Sequence, residues 1–171
     1  CRSLLAGAGC PGPADIRGVS VSWDATRAAF AARRAATDPF SIYEVDLATG
    51  ACAPPAGLND ASDNFDPAYG PDDEILFAST RSGGPVAADP LRPNADLFVW
   101  ETGPGGTTVR QFTYLTGAEV QPAFAKHGQN VVFALEKREI GFFQLAGRIM
   151  TPDGGAFPPF FGSRATIGFT E

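Results

Sequence analysis

The stretch that decides the fold runs from Asp66 to Arg81 and reads DPAYGPDDEILFASTR. An apolar segment ends at Tyr69, a polar turn occupies residues 70–74, and a second apolar run ends at Phe77. Pro and Asp in the turn favour a tight connection between antiparallel strands. The run before Phe77 barely alternates between apolar and polar residues, which is typical of a strand buried on both faces. The stretch therefore predicts a β-hairpin.

The same pattern occurs once before and once after this stretch. Each copy has a large apolar residue, a polar turn, and a short apolar run that ends in Phe followed by Ala. A basic residue stands four places after each Phe. The recurring residues Phe30, Phe77 and Phe133 are 47 and 56 positions apart, and spacings of this size indicate a repeat architecture. The two further copies are residues 21–34 and 124–137.

Additional apolar strands follow each hairpin, at residues 41–47, 96–100 and 141–145, and a fourth strand follows in the second copy at 108–113. Four antiparallel strands per repeat make one blade of a β-propeller. A helical interpretation fails because no long apolar stripe of helical period exists and Pro is scattered throughout. We predict an all-β chain of about three full four-stranded blades plus the start of a fourth. The repeats are at approximately 14–55, 60–117 and 118–155, with a linker and the start of the next blade at 156–171.

Three blades do not close a ring of the usual size, and each blade packs its face against a neighbour. We therefore expect the chain to be part of a larger propeller. The interval between Phe77 and Phe133 is the longer of the two, mostly because of the segment 82–94, which is rich in Pro and Gly. Such an insertion is expected to be a surface loop, where function is often located.

Residues 66–81 resemble the signature of the TolB-like, or PD40 (WD40-like), β-propeller repeat, and Gln121–Phe124 resembles the opening of the next repeat. The first copy departs from the pattern, because Gly18-Val19 stands where the signature has Asp-Pro. The segment Asp15–Arg17 is also similar to propellers related to the hydrazine synthase alpha subunit. The Cys-x-x-Cys-His haem motifs of that subunit are absent from this sequence, so its redox chemistry carries over to no residue here. The resemblance covers roughly residues 14–150 and implies the repeat rather than one activity.

The composition restricts the partners of the chain. With 13 Lys and Arg against 19 Asp and Glu, the net charge is −6, which repels phosphate backbones and predicts no nucleic-acid partner. No apolar run approaches the roughly 20 residues of a transmembrane helix. The three cysteines Cys1, Cys10 and Cys52 allow either one disulfide with a free thiol, in an oxidising compartment, or three reduced thiols. If Cys1 were the mature N-terminus, a lipid attached to it would tether the protein to a membrane.

Arg34, Arg81 and Lys137 are the basic residues that recur at one repeat position. Each of them could connect neighbouring blades through hydrogen bonds to carbonyl groups or to an acidic partner such as Asp66. Alternatively, the three side chains could form a basic ring around one mouth of the propeller, suited to a carboxylate ligand. The repetition at equivalent sites favours the connecting role.

The sequence offers no catalytic constellation. The one histidine, His127, occupies the turn position equivalent to Asp72, and the acidic residues between 60 and 73 do not have the spacing of a Ca²⁺ loop. We predict no catalytic, cofactor-binding or metal residue and no cofactor. The function predicted is a non-catalytic protein-interaction or scaffold module in a bacterial envelope assembly, in the periplasm or at the cell surface. The alternative is the propeller portion of a larger enzyme, a multihaem redox subunit or a prolyl-oligopeptidase-type hydrolase, with its catalytic residues outside this segment.

Overall fold

The computed structural model describes Cys10, Gly12 and residues 15–87, 89–125, 128–136 and 143–150. These residues form thirteen β-strands and no helix, so the all-β prediction is confirmed. Within them, no helix exists that could cross a membrane. The strands assemble into three antiparallel sheets and one short ribbon.

The first sheet has four strands in chain order, β1 to β4, and the first of them is an edge strand. The second sheet also has four strands, β5, β6, β9 and β10, in that order across the sheet. Three strands of the third sheet, β11 to β13, lie within the described residues. The bounds are β1 Asp15–Val21, β2 Arg27–Arg33, β3 Ser41–Asp46, β4 Cys52–Ala53, β5 Asn64–Tyr69, β6 Ile75–Ser79, β7 Pro85–Val86, β8 Asp89–Pro93, β9 Asp96–Gly103, β10 Gly106–Gln111, β11 Glu119–Ala125, β12 Asn130–Glu136 and β13 Phe143–Ile149.

The hairpin predicted from residues 66–81 is formed by β5 and β6. The N–H of Gly70 donates to the carbonyl oxygen of Glu74 at 2.8 Å, and Asp73 adopts a φ of 63° in the turn. Asp is among the residues that tolerate this left-handed conformation, which explains its place there. Every residue of β6 is buried, as expected of an apolar run that does not alternate.

The three recurring Phe residues occupy equivalent places in the three sheets. Each lies in the second strand of its sheet and is nearly inaccessible, with relative exposures of 4% for Phe30, 0% for Phe77 and 2% for Phe133. In each sheet the first strand has a β-bulge beside this Phe. The repeat in the sequence therefore corresponds to three sheets of the same construction.

The main core lies between adjacent sheets. Side chains from all three sheets form one buried cluster, which includes Ala31 and Ile42 of the first sheet, Phe77 and Phe98 of the second, and Phe133 of the third. A second cluster, with Phe30, Val45 and Cys52 as members, collects side chains of the first sheet that do not join the main cluster. Cys10 packs against it and forms a disulfide with Cys52.

The segment 82–94 differs from the surface loop that its composition predicts. It contains a two-stranded ribbon, β7 and β8, and its Val86 is 2% exposed and belongs to the main core. The N–H of Asn94 donates to the carbonyl of Gly84 at 2.7 Å, which closes the base of the ribbon. Pro is compatible with such a short ribbon because edge strands do not require every backbone donor.

Candidate functional site

The first strands of the three sheets, β1, β5 and β11, lie side by side and line an open groove. One cavity of about 330 Å³ is lined by the part of these strands around Asp66, and a second of about 310 Å³ is lined by the part around Tyr69. Both cavities are bounded by Val19, Pro67 and Pro122, so they adjoin each other. We call this feature the inner-strand groove.

Asp66 connects all three strands of the inner-strand groove. Its carboxylate accepts two hydrogen bonds from the guanidinium of Arg17, at 2.8 and 3.0 Å, and one from the backbone N–H of Gln121 at 3.1 Å. Asp66 is 6% exposed, whereas the Arg17 side chain is 41% exposed and lies over the ring of Phe65. Bonds in which a partner is charged are the stronger class of hydrogen bond. Because its carboxylate is occupied by these donors, Asp66 is suited to joining blades rather than to acid–base chemistry.

The same backbone conformation recurs where these contacts form. Gly18, Asp66 and Gln121 each stand at the bulge of their strand, with φ values of 62°, 51° and 53°. Left-handed backbone is uncommon for residues other than Gly. The first sheet uses Gly18 there because the strands approach closely: a Cβ atom added to Gly18 would lie 2.8 Å from the Cα of Asp66.

Replacing Gly18 by alanine is expected to lower the free energy of unfolding by about 2 kcal/mol, because the added methyl group meets backbone that must shift. Gly83→Ala is the matched control, since Gly83 has a φ of 75° but no neighbouring atom within 4 Å of the added Cβ. The control measures backbone strain alone, expected at about 1 kcal/mol. Urea denaturation checks both values, and equal losses for the two variants would contradict the close approach of β1 and β5.

The other end of the inner-strand groove exposes apolar side chains. Val19, Val21 and Trp23 have relative exposures of 69%, 51% and 52%. The Trp23 indole N–H donates to the carbonyl of Tyr69 at 2.9 Å, which fixes the ring beside β5. Burial of Tyr69, together with the hydrogen bond that its hydroxyl donates to Glu44, raises the pKa of this tyrosine, so its phenol stays neutral. This end of the groove therefore presents an uncharged apolar surface held in place by hydrogen bonds.

The two described basic residues that recur in the repeat, Arg34 and Arg81, have different environments. Arg81 donates to the carbonyl of Leu58 at 2.7 Å and to the side-chain oxygen of Asn64 at 2.6 Å, and it lies 3.4 Å from Asp60. Burial lowers the pKa of Arg81, and the charge of Asp60 opposes this effect. Arg81 thus fastens the segment before β5 to the end of β6. Arg34 is exposed.

Lys137, His127 and Cys1 lie outside the described residues. Asp66, the acidic partner named for the basic residues, is bonded to Arg17. The acidic stretch around it divides into separate roles, because Asp60 accepts from the N–H of Ser62 and Asp63 accepts from the N–H of Phe40. Among the described ranges, no set of three or more His, Cys, Asp or Glu is placed to hold a metal ion.

Arg17, Gln121 and Trp23 were not identified from the sequence as site residues. For Arg17 and Gln121, the repeat itself contains a signal that could have identified them. Once Gly18, Asp66 and Gln121 are aligned at one repeat position, a charged residue such as Asp66 in the innermost strand requires a partner from an adjacent copy. Arg17, one residue before Gly18, is the available cation.

Comparison with known proteins identifies the fold of the chain. No protein-family model and no curated protein match the chain. Among solved structures, a putative TolB from Agrobacterium tumefaciens superposes with a TM-score of 0.66 and 21% identity, over 88% of this chain and 50% of that one. The fold is that of a TolB-like β-propeller. TolB from Acinetobacter baumannii gives a TM-score of 0.63 with 20% identity, over 86% of this chain and 32% of that one.

The hydrazine synthase of Kuenenia stuttgartiensis also has this fold in part of its chain. It superposes with a TM-score of 0.65 and 16% identity, over 88% of this chain and 26% of that one. The present chain therefore spans from about a quarter to a half of the length of these proteins. Identities this low establish the propeller fold, and membership of the PD40 family stays a prediction.

Proposed function

We propose that this propeller segment is a protein-interaction or scaffold module that holds its partner in the inner-strand groove. The observation that carries the proposal is the exposure of Val19, Val21 and Trp23 along one wall of a formed cleft. Apolar side chains exposed together in this way are typical of interaction sites. The polar end of the groove, with Arg17 and Gln121, provides groups that could orient the partner.

An extended peptide segment with apolar side chains is the kind of partner that suits this cleft. The strand β1 is the edge of its sheet, and an edge strand has backbone groups that an added strand can bond. Specificity would come from the apolar wall, because a peptide strand turns alternate side chains toward one face.

The proposed location is the bacterial cell envelope, either the periplasm or the cell surface. The disulfide between Cys10 and Cys52 supports an oxidising compartment, since such bonds are rare in reducing ones. The disulfide and the inner-strand groove are both compatible with a larger envelope assembly in which this module holds a protein partner.

Site-specific photo-crosslinking tests the proposed function. A photoreactive amino acid placed at the exposed position Gln121 is expected to form discrete adducts in envelope extract. These adducts should be lost when Val21→Asp places a charge on the apolar wall, and retained when the matched change Thr107→Asp is made on the exposed outer strand β10. Adducts that survive Val21→Asp, or that Thr107→Asp removes equally, would rule the groove out as the binding surface.

A second candidate function is the propeller portion of a larger enzyme. An observation that favours it is the match to a quarter of the hydrazine synthase chain. The test is the reading frame on either side of this segment. Cys-x-x-Cys-His motifs or a Gly-x-Ser-x-Gly elbow there would favour the enzyme, as a redox subunit or a prolyl-oligopeptidase-type hydrolase respectively.

A further inference from the structure

A buried acidic side chain lies where the second and third sheets meet. Glu119 is the first residue of β11, and its backbone N–H donates to the carbonyl of Ala95, just before β9, at 2.7 Å. The residue has no exposed surface. Among the described residues, no hydrogen bond of normal geometry reaches either of its carboxylate oxygens. A buried carboxyl group in this situation is much less costly in its neutral form than in its ionised form.

Burial of Glu119 outweighs the donors that favour its ionised form, which are the Thr113 side chain and the N–H of Leu97. Asp96, 3% exposed, accepts from the side-chain amides of Asn94 and Gln111, both at 3.1 Å. The hydroxyl oxygen of Thr113 accepts from the N–H of Leu97 at 2.8 Å. The side-chain oxygen of Asn94 is itself buried without a donor. An ionised Glu119 would therefore add a negative charge beside Asp96, in a buried site whose donors compensate only part of the cost of burial.

The charged groups on the adjoining strands β12 and β13 have partners of their own. Arg148 on β13 donates to the carbonyl of Phe112 and lies over its ring at 4.9 Å. Glu136 on β12, which is 2% exposed, forms an ion pair with Arg92 of the ribbon strand β8. Arg148 favours ionisation of Glu119 through its charge, whereas Asp96 opposes it.

These contacts lead to one conclusion that does not depend on the proposed function. We propose that Glu119 is a proton-controlled joint between the second and third sheets, closed when its carboxyl group is neutral and loosened when it is ionised. Ala95, which accepts from its backbone, directly follows Asn94 at the base of the ribbon formed by β7 and β8. Ionisation of Glu119 is therefore expected to loosen the contacts at the base of the ribbon formed by β7 and β8.

The direction of the pH dependence follows from the pKa values. Burial raises the pKa of Glu119 from 4.5 to about 8, and the charge of Asp96 adds to the rise. Burial also raises the pKa of Asp96. Between pH 4.5 and about 8 the folded protein thus holds a proton that the unfolded chain has released. Stability is greatest below this window and is lost as the pH rises through it.

The pKa values of two other carboxyl groups shift downward, away from this window. Hydrogen bonds from Ser22 and Thr26 lower the pKa of Asp24 to about 2, and Thr49 lowers the pKa of Asp46 below its ordinary value of 3.8. Their effects on stability are confined to acidic solutions, below the pH range in which Glu119 changes its charge.

The test compares the wild type with Glu119→Gln, which has the shape of the neutral acid and cannot ionise. Between pH 5.5 and 7.5, the unfolding constant of the wild type relative to this variant is expected to rise about 10-fold per pH unit, the slope for one proton. Glu101→Gln is the control, since Glu101 is a partly exposed acid paired with Arg110, and its profile should parallel the wild type. Urea denaturation at each pH supplies the constants.

A direct titration keeps the proposal testable even if Glu119→Gln fails to fold. The ¹³C shift of the Glu119 carboxyl in the wild-type protein, assigned through its bonded carbons, is expected to titrate near pH 8. Hydrogen exchange of the Glu119 amide should accelerate above that pH by more than the intrinsic pH effect. A midpoint between 4 and 5, or parallel stability profiles for the wild type and Glu119→Gln, would overturn the proposal.

Discussion

Replacing Phe77 by alanine is expected to lower the free energy of unfolding by about 3–5 kcal/mol, the usual cost of truncating a fully buried Phe. Phe77 has no exposed surface, and its ring lies 6.1 Å from that of Phe98 on the neighbouring strand. The loss combines the transfer of the ring to water with the cavity that remains, because the sheets on either side cannot close over it. Urea denaturation measures the value.

Two further substitutions decide whether this cost reflects the repeat. Phe30→Ala and Phe133→Ala are expected to be costly in the same range, since both side chains are at most 4% exposed at the equivalent position. Leu91→Ala is the exposed control, because Leu91 is 93% exposed, and it should change stability by less than about 0.5 kcal/mol. A loss below about 1 kcal/mol for Phe77→Ala would mean that the core does not depend on this position.

The hairpins could be predicted because their determinants are local. A buried run such as 75–79 needs only its own apolar residues, and its turn needs only the residues that tolerate left-handed or tight backbone, as Asp73 does. Repetition of the pattern then places equivalent residues at equivalent depths without any knowledge of the contacts between sheets.

The groove could not be predicted because its contacts join different repeats. Arg17 and Asp66 are 49 residues apart, and their pairing depends on how one sheet is set against the next. No local pattern encodes that offset. Gly18, Asp66 and Gln121 align at one repeat position in the sequence, but the bulges that they form are visible only once the register of each sheet is known.

The environment of Glu119 was hidden for a related reason. In the sequence this residue stands among Thr, Gly and Ala, where an acid is expected to face solvent. Its environment includes Ala95, just before β9, and Thr113, just after β10, which belong to the preceding repeat. The ribbon at 82–94 is similar, because Val86 joins the core through tertiary packing that Pro and Gly content does not indicate.

Removing the carboxylate of Asp66 is expected to have the second large effect on stability. Asp66→Ala should lower the free energy of unfolding by about 3 kcal/mol, because three hydrogen bonds to a charged acceptor are lost and the N–H of Gln121 is left without its acceptor. The left-handed backbone at Asp66 adds to the cost, since Ala tolerates it less well than Asp or Asn.

Asp66→Asn separates the contribution of the charge to stability from that of the left-handed backbone. Asn tolerates the same φ and keeps one oxygen acceptor, so we expect a loss of about 2 kcal/mol, which measures the charge. Arg17→Ala should lower the free energy of unfolding by only about 1 kcal/mol. The Arg17 side chain is 41% exposed, so water can enter the space that it leaves and hydrogen-bond to Asp66 in its place. Urea denaturation of the two single variants and the double variant gives the coupling energy, expected at about 1 kcal/mol.

The double-variant cycle also bears on the groove. If Asp66 fixes the spacing of β1, β5 and β11, then Asp66→Asn should weaken partner capture by the crosslinker at Gln121, whereas Gly83→Ala, on the loop after β6, should not. A coupling energy near zero, together with unchanged crosslinking, would show that the three strands hold their spacing through packing alone. The physical reason to expect otherwise is that a single buried carboxylate receives donors from both neighbouring strands, so a change at Asp66 alters the contact with each of them.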